Sequence, residues 1–129
     1  MIISKTPYRI SFFGGGTDYP SWYKKNGGSV ISATIDKYIY ISCRTLPPFF
    51  KHKYRIVWSH IETVKKLNQI KHIPVKKMLE KYKIKKGLEI HYDGDLPARS
   101  GMGSSSVFVV GLMNLFNNFQ GKVVKRKKL

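Results

Sequence analysis

Acidic residues are scarce in this chain: 7 Asp and Glu stand against 24 Lys and Arg, a formal charge of +17 over 129 residues. A field of that sign favours phosphates, nucleic acids and anionic surfaces without choosing among them. Cysteine is nearly absent. Cys43 stands alone, which excludes an internal disulfide and leaves any cysteine-based zinc site in need of other ligand types. It lies in the alternating run Tyr38-Ile39-Tyr40-Ile41-Ser42-Cys43, where a buried small residue fits. Long apolar runs are missing too, none approaching the ~18 residues of a membrane span. The start, Met1-Ile2-Ile3-Ser4-Lys5, lacks the charged region and apolar stretch of a secretory signal. The expectation is a cytoplasmic address and no membrane partner.

What is present suits a folded domain. A content of 42% hydrophobic and 13% aromatic residues excludes the depletion of disordered chains, and the length allows one core. With no internal repeat and no Pro/Gly/Ser linker, residues 1–129 read as one domain. The positive charge is regional: residues 51–86 hold twelve Lys and Arg against two Glu, and five more basic residues follow from Lys122. A solvated lysine-rich surface is the plainer reading, and attraction of phosphorylated ligands the second. No recognition helix or interleaved aromatic platform of a nucleic-acid reader appears, so nucleic acid is not the expected partner.

Ile2 to Phe13 reads as a strand stopped by Gly14-Gly15-Gly16. Ser29 to Ile35 and Lys37 to Arg44 have strand propensity and are separated by Asp36, which predicts a hairpin or a bent strand pair. Leu46-Pro47-Pro48 breaks the pattern, and Tyr54 to Ser59 resumes it. Apolar residues at helical spacing predict short helices over His60 to Leu67 and Pro74 to Tyr82. Leu88 to Tyr92 alternates as a strand, and Ser104 to Phe119 reads as an almost all-round apolar, buried helix. The coarse outcome is a two-layer α+β fold, a mixed sheet backed by helices.

Two glycine-rich segments carry the chemistry. In Asp95-Leu96-Pro97-Ala98-Arg99-Ser100-Gly101-Met102-Gly103-Ser104-Ser105-Ser106, Gly101 and Gly103 permit φ > 0 and close approach of a ligand, and the following helix offers unpaired amides and the positive end of its dipole. Such a place takes an anion. Ser104, Ser105 and Ser106 suit capping, donation to phosphate oxygens, or contact with a phosphate-bound magnesium. No Lys follows the last glycine as a Walker A loop requires, and no Gly-x-Gly-x-x-Gly with an acidic ribose contact occurs. A capped helix with a plain glycine turn is the bland alternative. In Pro7-Tyr8-Arg9-Ile10-Ser11-Phe12-Phe13-Gly14-Gly15-Gly16-Thr17-Asp18-Tyr19-Pro20, an acid beside a hydroxyl on an approachable backbone suits the vicinal hydroxyls of a sugar. A glycine turn capped by Asp18 explains that segment equally well.

Together, in this order and about ninety residues apart, the two segments resemble the first two signature motifs of the GHMP kinases. Lys5 through Trp22, Ser32 through Tyr38, Leu46 through Phe50 and His91 through Gly101 look like the heptose 7-phosphate kinases within that family. The resemblance implies a sheet with a left-handed βαβ crossover, related in shape to a ribosomal-protein domain. It implies phosphorylation of the anomeric hydroxyl of a heptose 7-phosphate by ATP with Mg2+. Pro97, Gly101, Met102, Gly103, Ser104, Ser105 and Ser106 would then form the nucleotide-phosphate loop, with Ser105 as the magnesium contact. Arg9 would stabilise the transferring phosphoryl group, and Thr17, Asp18, Tyr19 and, more weakly, Asp36 would face the sugar.

In the family the acidic magnesium ligand, the aspartate base, a third glycine-rich motif and a second domain follow the part this chain resembles. The expectation is a truncated N-terminal ATP- and sugar-binding domain that is inactive alone, because phosphoryl transfer needs several parts positioned at once. A small basic RNA-binding module on the same fold, a non-catalytic remnant, and one half of a complex completed by a separate chain are the other readings. The last expects an adhesive outer side on helix 104–119.

Overall fold

A computed structural model describes residues 1–97 and 100–122. Five strands, β1 (Ile2–Phe13), β2 (Ile31–Thr45), β3 (Tyr54–Val57), β4 (Ile61–Val64) and β5 (Leu88–Gly94), form one sheet in the order β1-β2-β5-β3-β4. Pairing is antiparallel except between β3 and β5, which run parallel and are joined through β4 and α2 (Ile73–Lys81). The remaining helices are α1 (Pro20–Asn26) and α3 (Ser104–Phe119). This is the mixed sheet backed by helices expected for the α+β class.

Strand alternation sends Ile39, Ile41 and Cys43 of β2, Leu88 and Ile90 of β5, and Tyr54 and Ile56 of β3 into the core, all essentially buried. α3 covers β1 and β2, and its buried residues Val107, Phe108, Gly111, Leu112, Leu115 and Phe116 recur at i, i+1, i+4, i+5. Its outward stripe is Ser106, Val110, Asn114 and Asn118. The helix is therefore amphipathic, and Val110 is the large apolar residue exposed on that stripe. A larger group of exposed apolar residues lies around α1 and the β1–β2 tip, at Phe12, Phe13, Tyr19, Trp22 and Ile31. Cys43 packs as a small apolar residue, and burial pushes its thiol up to about 12.

On the opposite face of the sheet, Glu89 is 3% exposed beneath Arg44, Arg55 and His91. Arg44 Nε donates to Glu89 Oε2 at 2.6 Å, and Arg55 Nη1 lies 3.1 Å from Oε1. Burial alone raises the carboxyl's pKa, but the hydrogen bonds from His91 and Arg44 and the charges of both arginines outweigh it and hold it below the ordinary value.

One expectation from the sequence fails, and one alternative is decided. His60 to Leu67 is not a helix: Ile61–Val64 is β4, and only Leu67–Gln69 makes a single 3-10 turn. The β-branched Ile61, Thr63 and Val64 pair with β3, from Val57↔Ile61 to Tyr54↔Val64, after a reversal in which the Trp58 amide donates to the His60 carbonyl. Residues 31–45 form one continuous strand bent at a bulge, which decides for the bent form over the hairpin. Asp36 sits in a bulge, where the register jumps from Pro7↔Tyr38 to Arg9↔Thr34.

Candidate functional site

The strand end of β1 and the start of α3 build the site from opposite ends of the sequence. Gly101 and Gly103 adopt φ +76° and +69°, the left-handed conformation that side chains resist, so a chain leaving β5 turns sharply into α3. Gly103 is the N-cap of α3, and no side chain caps the first turn. The serines therefore follow the cap and do not supply it, which leaves the first-turn amides of Ser104, Ser105 and Ser106 directed outward. Ser104 is half-buried, Ser105 and Ser106 are exposed, and Met102 packs onto the core edge. Pro97 is exposed; Ala98 and Arg99 lie outside the described residues.

The approach to this turn is held from below. Tyr8, wholly buried, donates its hydroxyl to the Leu96 carbonyl at 3.3 Å. Burial first, then the neighbouring Tyr92 and Asp95, push the Tyr8 phenol up to about 12, so it stays a donor at any working pH. Asp95 Oδ2 accepts from the Tyr38 amide at 2.8 Å, and the Asp95 amide donates back to the Tyr38 carbonyl at 3.0 Å. Gly94 has no room for a side chain, since a Cβ there would come within 2.8 Å of the Tyr8 hydroxyl.

Arg9, in the second half of β1, approaches the same place. Its Nε and Cγ lie 3.8 and 3.9 Å from where a Cβ on Gly103 would stand, while Nη1 donates to Ser11 Oγ at 2.8 Å. Of the five guanidinium donors, one is thus used internally and the Nε edge faces the glycine turn. Two segments about ninety residues apart in sequence meet at that contact.

Gly14, φ +81°, opens the turn of the first segment, and its absent side chain is required because a Cβ would stand 1.9 Å from the Ser29 carbonyl oxygen. Thr17 Oγ1 lies 2.8 Å from the Gly14 carbonyl and 3.1 Å from that of Ser29, and accepts the Ser29 amide at 3.2 Å. With these main-chain partners, the Thr17 hydroxyl braces the loop. Asp18 and Thr17 line an open cavity of about 380 Å³ with Tyr23, Gly28, Ser29 and Val30. Tyr19 is 65% exposed as the N-cap of α1, outside that lining. Asp36 lies in the β2 bulge, where its carboxylate raises the pKa of the Tyr38 phenol by hydrogen bonding and charge; it lines neither this cavity nor the one beside α3.

Sequence reasoning missed a second cavity of about 290 Å³ against the first turn of α3, lined by Ser104, Ser105, Trp58, His72, Tyr92 and Phe108 among others. Its rings touch edge to face, with centroids 4.9 Å apart for Trp58 and His72 and 5.0 Å for Tyr92 and Phe108. Trp58 Nε1 is buried and has no hydrogen-bond partner among the described residues. The aromatic residues come from the β3–β4 turn, the start of α2, β5 and α3, so no local sequence signal joins them.

His72 also caps α2, its Nδ1 accepting from the Val75 amide at 3.4 Å, which requires a neutral ring. Burial lowers its pKa below 6.5 despite the nearby Glu62 carboxylate. The unfolded chain therefore takes up a proton first as pH falls, so His72 contributes stability above about 6.5 that is lost on acidification through and below that value. The melting temperature of the chain is expected to fall as pH drops below about 6.5. His72→Asn, which keeps a capping side chain, should flatten that step, as thermal unfolding followed across the pH range checks.

Among the described residues, no helix is long and apolar enough to cross a membrane. Residues 64–129 match the GHMP kinases N terminal domain, about half of the chain. The chain is 29% identical to the D-glycero-alpha-D-manno-heptose 7-phosphate kinase of Campylobacter jejuni, over 89% of this chain and 37% of that protein. It thus spans little more than a third of that relative's length. In fold it resembles a D-glycero-D-manno-heptose 1-phosphate kinase from Bacteroides thetaiotaomicron, with TM-score 0.79 and 22% identity over 94% of this chain and 42% of that one. A putative sugar kinase from Campylobacter jejuni superposes with TM-score 0.75 at 25% identity, over 98% of this chain and 43% of the other.

Proposed function

The chain belongs to the GHMP kinases, and from that premise we propose that residues 1–129 are the ATP- and sugar-binding N-terminal part of a kinase that phosphorylates the anomeric hydroxyl of a heptose 7-phosphate. The observation that supports the reading is the approach of Arg9, from the segment proposed to serve the sugar, to the Gly103 turn proposed to take the phosphates.

In this reading, the outward first-turn amides of α3, with the glycine turn before them, take the nucleotide phosphates. The aromatic cavity beside Ser104 and Ser105 takes the base, with the unpartnered Trp58 indole as a donor inside it. Arg9 stands where charge develops on the transferring phosphoryl group, and its planar donors suit that group. Asp18, in its open cavity, orients the sugar hydroxyls. Thr17 holds the loop in shape, and Tyr19 and Asp36, which lie outside the Asp18 cavity, have the weaker claim on the sugar.

A magnesium ion would neutralise the phosphates, and the donors here suit one that arrives with the nucleotide. Among the described residues no group of three His, Cys, Asp or Glu stands ready to hold a metal, and the Ser105 hydroxyl at the exposed first turn is the one contact this part would give it. Magnesium binds through few protein oxygens and several phosphate and water oxygens, which agrees with so sparse a set.

Polypeptide 1–129 should bind the magnesium complex of ATP saturably yet show no consumption of ATP with heptose 7-phosphate. Calorimetry and a coupled assay on the same preparation check both. Turnover would overturn the dependence on further parts, and absence of nucleotide binding would overturn the site.

A further inference from the structure

The lysine-rich middle of the chain builds a second concave surface away from the glycine turn. Lys51, Lys53, Lys65 and Lys86 line a cavity of about 490 Å³ at the edge where β2 ends and β5 begins, together with His52 and Phe50. The glycine turn follows the other end of β5, so the length of that strand, roughly 20 Å, separates the two. No acidic side chain lines this cavity, and among the described residues none of its four lysines forms an ion pair. His52 Nε2 is buried there and has no hydrogen-bond partner among the described residues. The Phe50 ring packs at 5.2 Å on the His52 ring.

Main-chain hydrogen bonds tie the walls together. The Leu46 amide donates to the Gly87 carbonyl and the Leu88 amide to the Lys53 carbonyl, both at 2.9 Å, and a Cβ on Gly87 would stand 3.0 Å from the Lys53 carbonyl oxygen. Lysines that only solvate a surface spread over a convex face. Four that line one concavity free of acidic side chains raise the local anion concentration.

We propose that this cavity is a second binding site, distinct from the glycine turn, for a compact ligand carrying two or more phosphates. Concavity favours such a small molecule over a nucleic acid or an anionic membrane, which need an extended, exposed stripe of charge. The phosphates contact the lysines, and a ring on the ligand, where present, lies against Phe50.

The test is a titration of 15N-labelled chain with inorganic pyrophosphate, and separately with a nucleoside diphosphate, read at each backbone amide. The expected result is saturable movement of the amides of Thr45, Phe50, His52 and Gly87, with a midpoint different from that of Gly101 to Ser106. Tighter binding of the nucleoside diphosphate at these amides assigns a ring to the ligand, and equal binding assigns the phosphates alone. Lys53→Gln combined with Lys86→Gln should weaken the first set about tenfold or more and leave the second unchanged. Movement confined to Gly101 to Ser106 in the unsubstituted chain overturns the proposal, whatever the variant does. So does linear, unsaturated movement at the lysine cavity alongside tighter binding of RNA or of phosphatidylserine vesicles.

Discussion

Gly103→Val is expected to weaken nucleotide binding by about a hundredfold while leaving the fold intact. The residue sits at φ +69°, where a β-branched side chain costs roughly 1–2 kcal/mol. Relief of that strain means rotating the peptide that aims the first amides of α3. The added methyl groups also extend toward Arg9, whose Nε already lies 3.8 Å from the Cβ position, and displace the guanidinium from the turn. Both effects fall on anion binding. The turn itself is exposed and half-exposed surface, so the cost to stability stays near that of the strain. Calorimetric titration with the magnesium complex of ATP, beside a thermal melt, separates the two.

Gly111→Leu should produce the opposite pattern, a large loss of stability from a site that touches no ligand. Gly111 lies on the buried face of α3, and a Cβ there would come within 2.7 Å of Thr6 Oγ1 and 3.3 Å of Ile41 Cδ1. Helix and sheet therefore approach at a distance only glycine permits. Removing a mid-helix glycine gains about 1 kcal/mol of helix propensity, which is too little to offset overpacking. A leucine must push α3 away from β1 and β2, at a net cost of about 3 kcal/mol, a drop of roughly 10 °C in melting temperature. Because α3 carries at its start the turn proposed to take the phosphates, nucleotide affinity should fall with it. An unchanged melting temperature would mean that α3 does not pack as described.

The parts of this structure legible in the sequence are those set by local chemistry. Gly101 and Gly103 were expected at φ > 0 because few other residues go there, and both do. The amphipathic spacing of Val75, Met78 and Leu79 gave α2, and Leu46-Pro47-Pro48 marked the end of β2. Even α1, which was not anticipated, had its signals in Pro20 at the first position and Gly27 after the last.

What stayed hidden depends on partners distant in sequence. Ile61, Val64 and Leu67 fit a helical spacing as well as a strand, and only pairing with β3 decides between them. Asp36 looks like a turn residue until β1 is laid beside it and makes the place a bulge. Thr17 looks like a ligand contact, yet its hydroxyl is spent on Gly14 and Ser29. The aromatic cavity and the lysine cavity are each assembled from several elements, so composition indicated charge and rings without their location.

The central claim is that the β1 segment and the glycine turn form one site around a phosphorylated ligand. The most direct test titrates 15N-labelled chain with a non-hydrolysable ATP analogue and magnesium, following the Arg9 Nε–H resonance together with the amides of Gly101 to Ser106. The account predicts that all of them shift along one saturation curve, and that Arg9→Ala weakens the binding seen at the amides. An Arg9 Nε signal that stays still while the glycine amides saturate would contradict it.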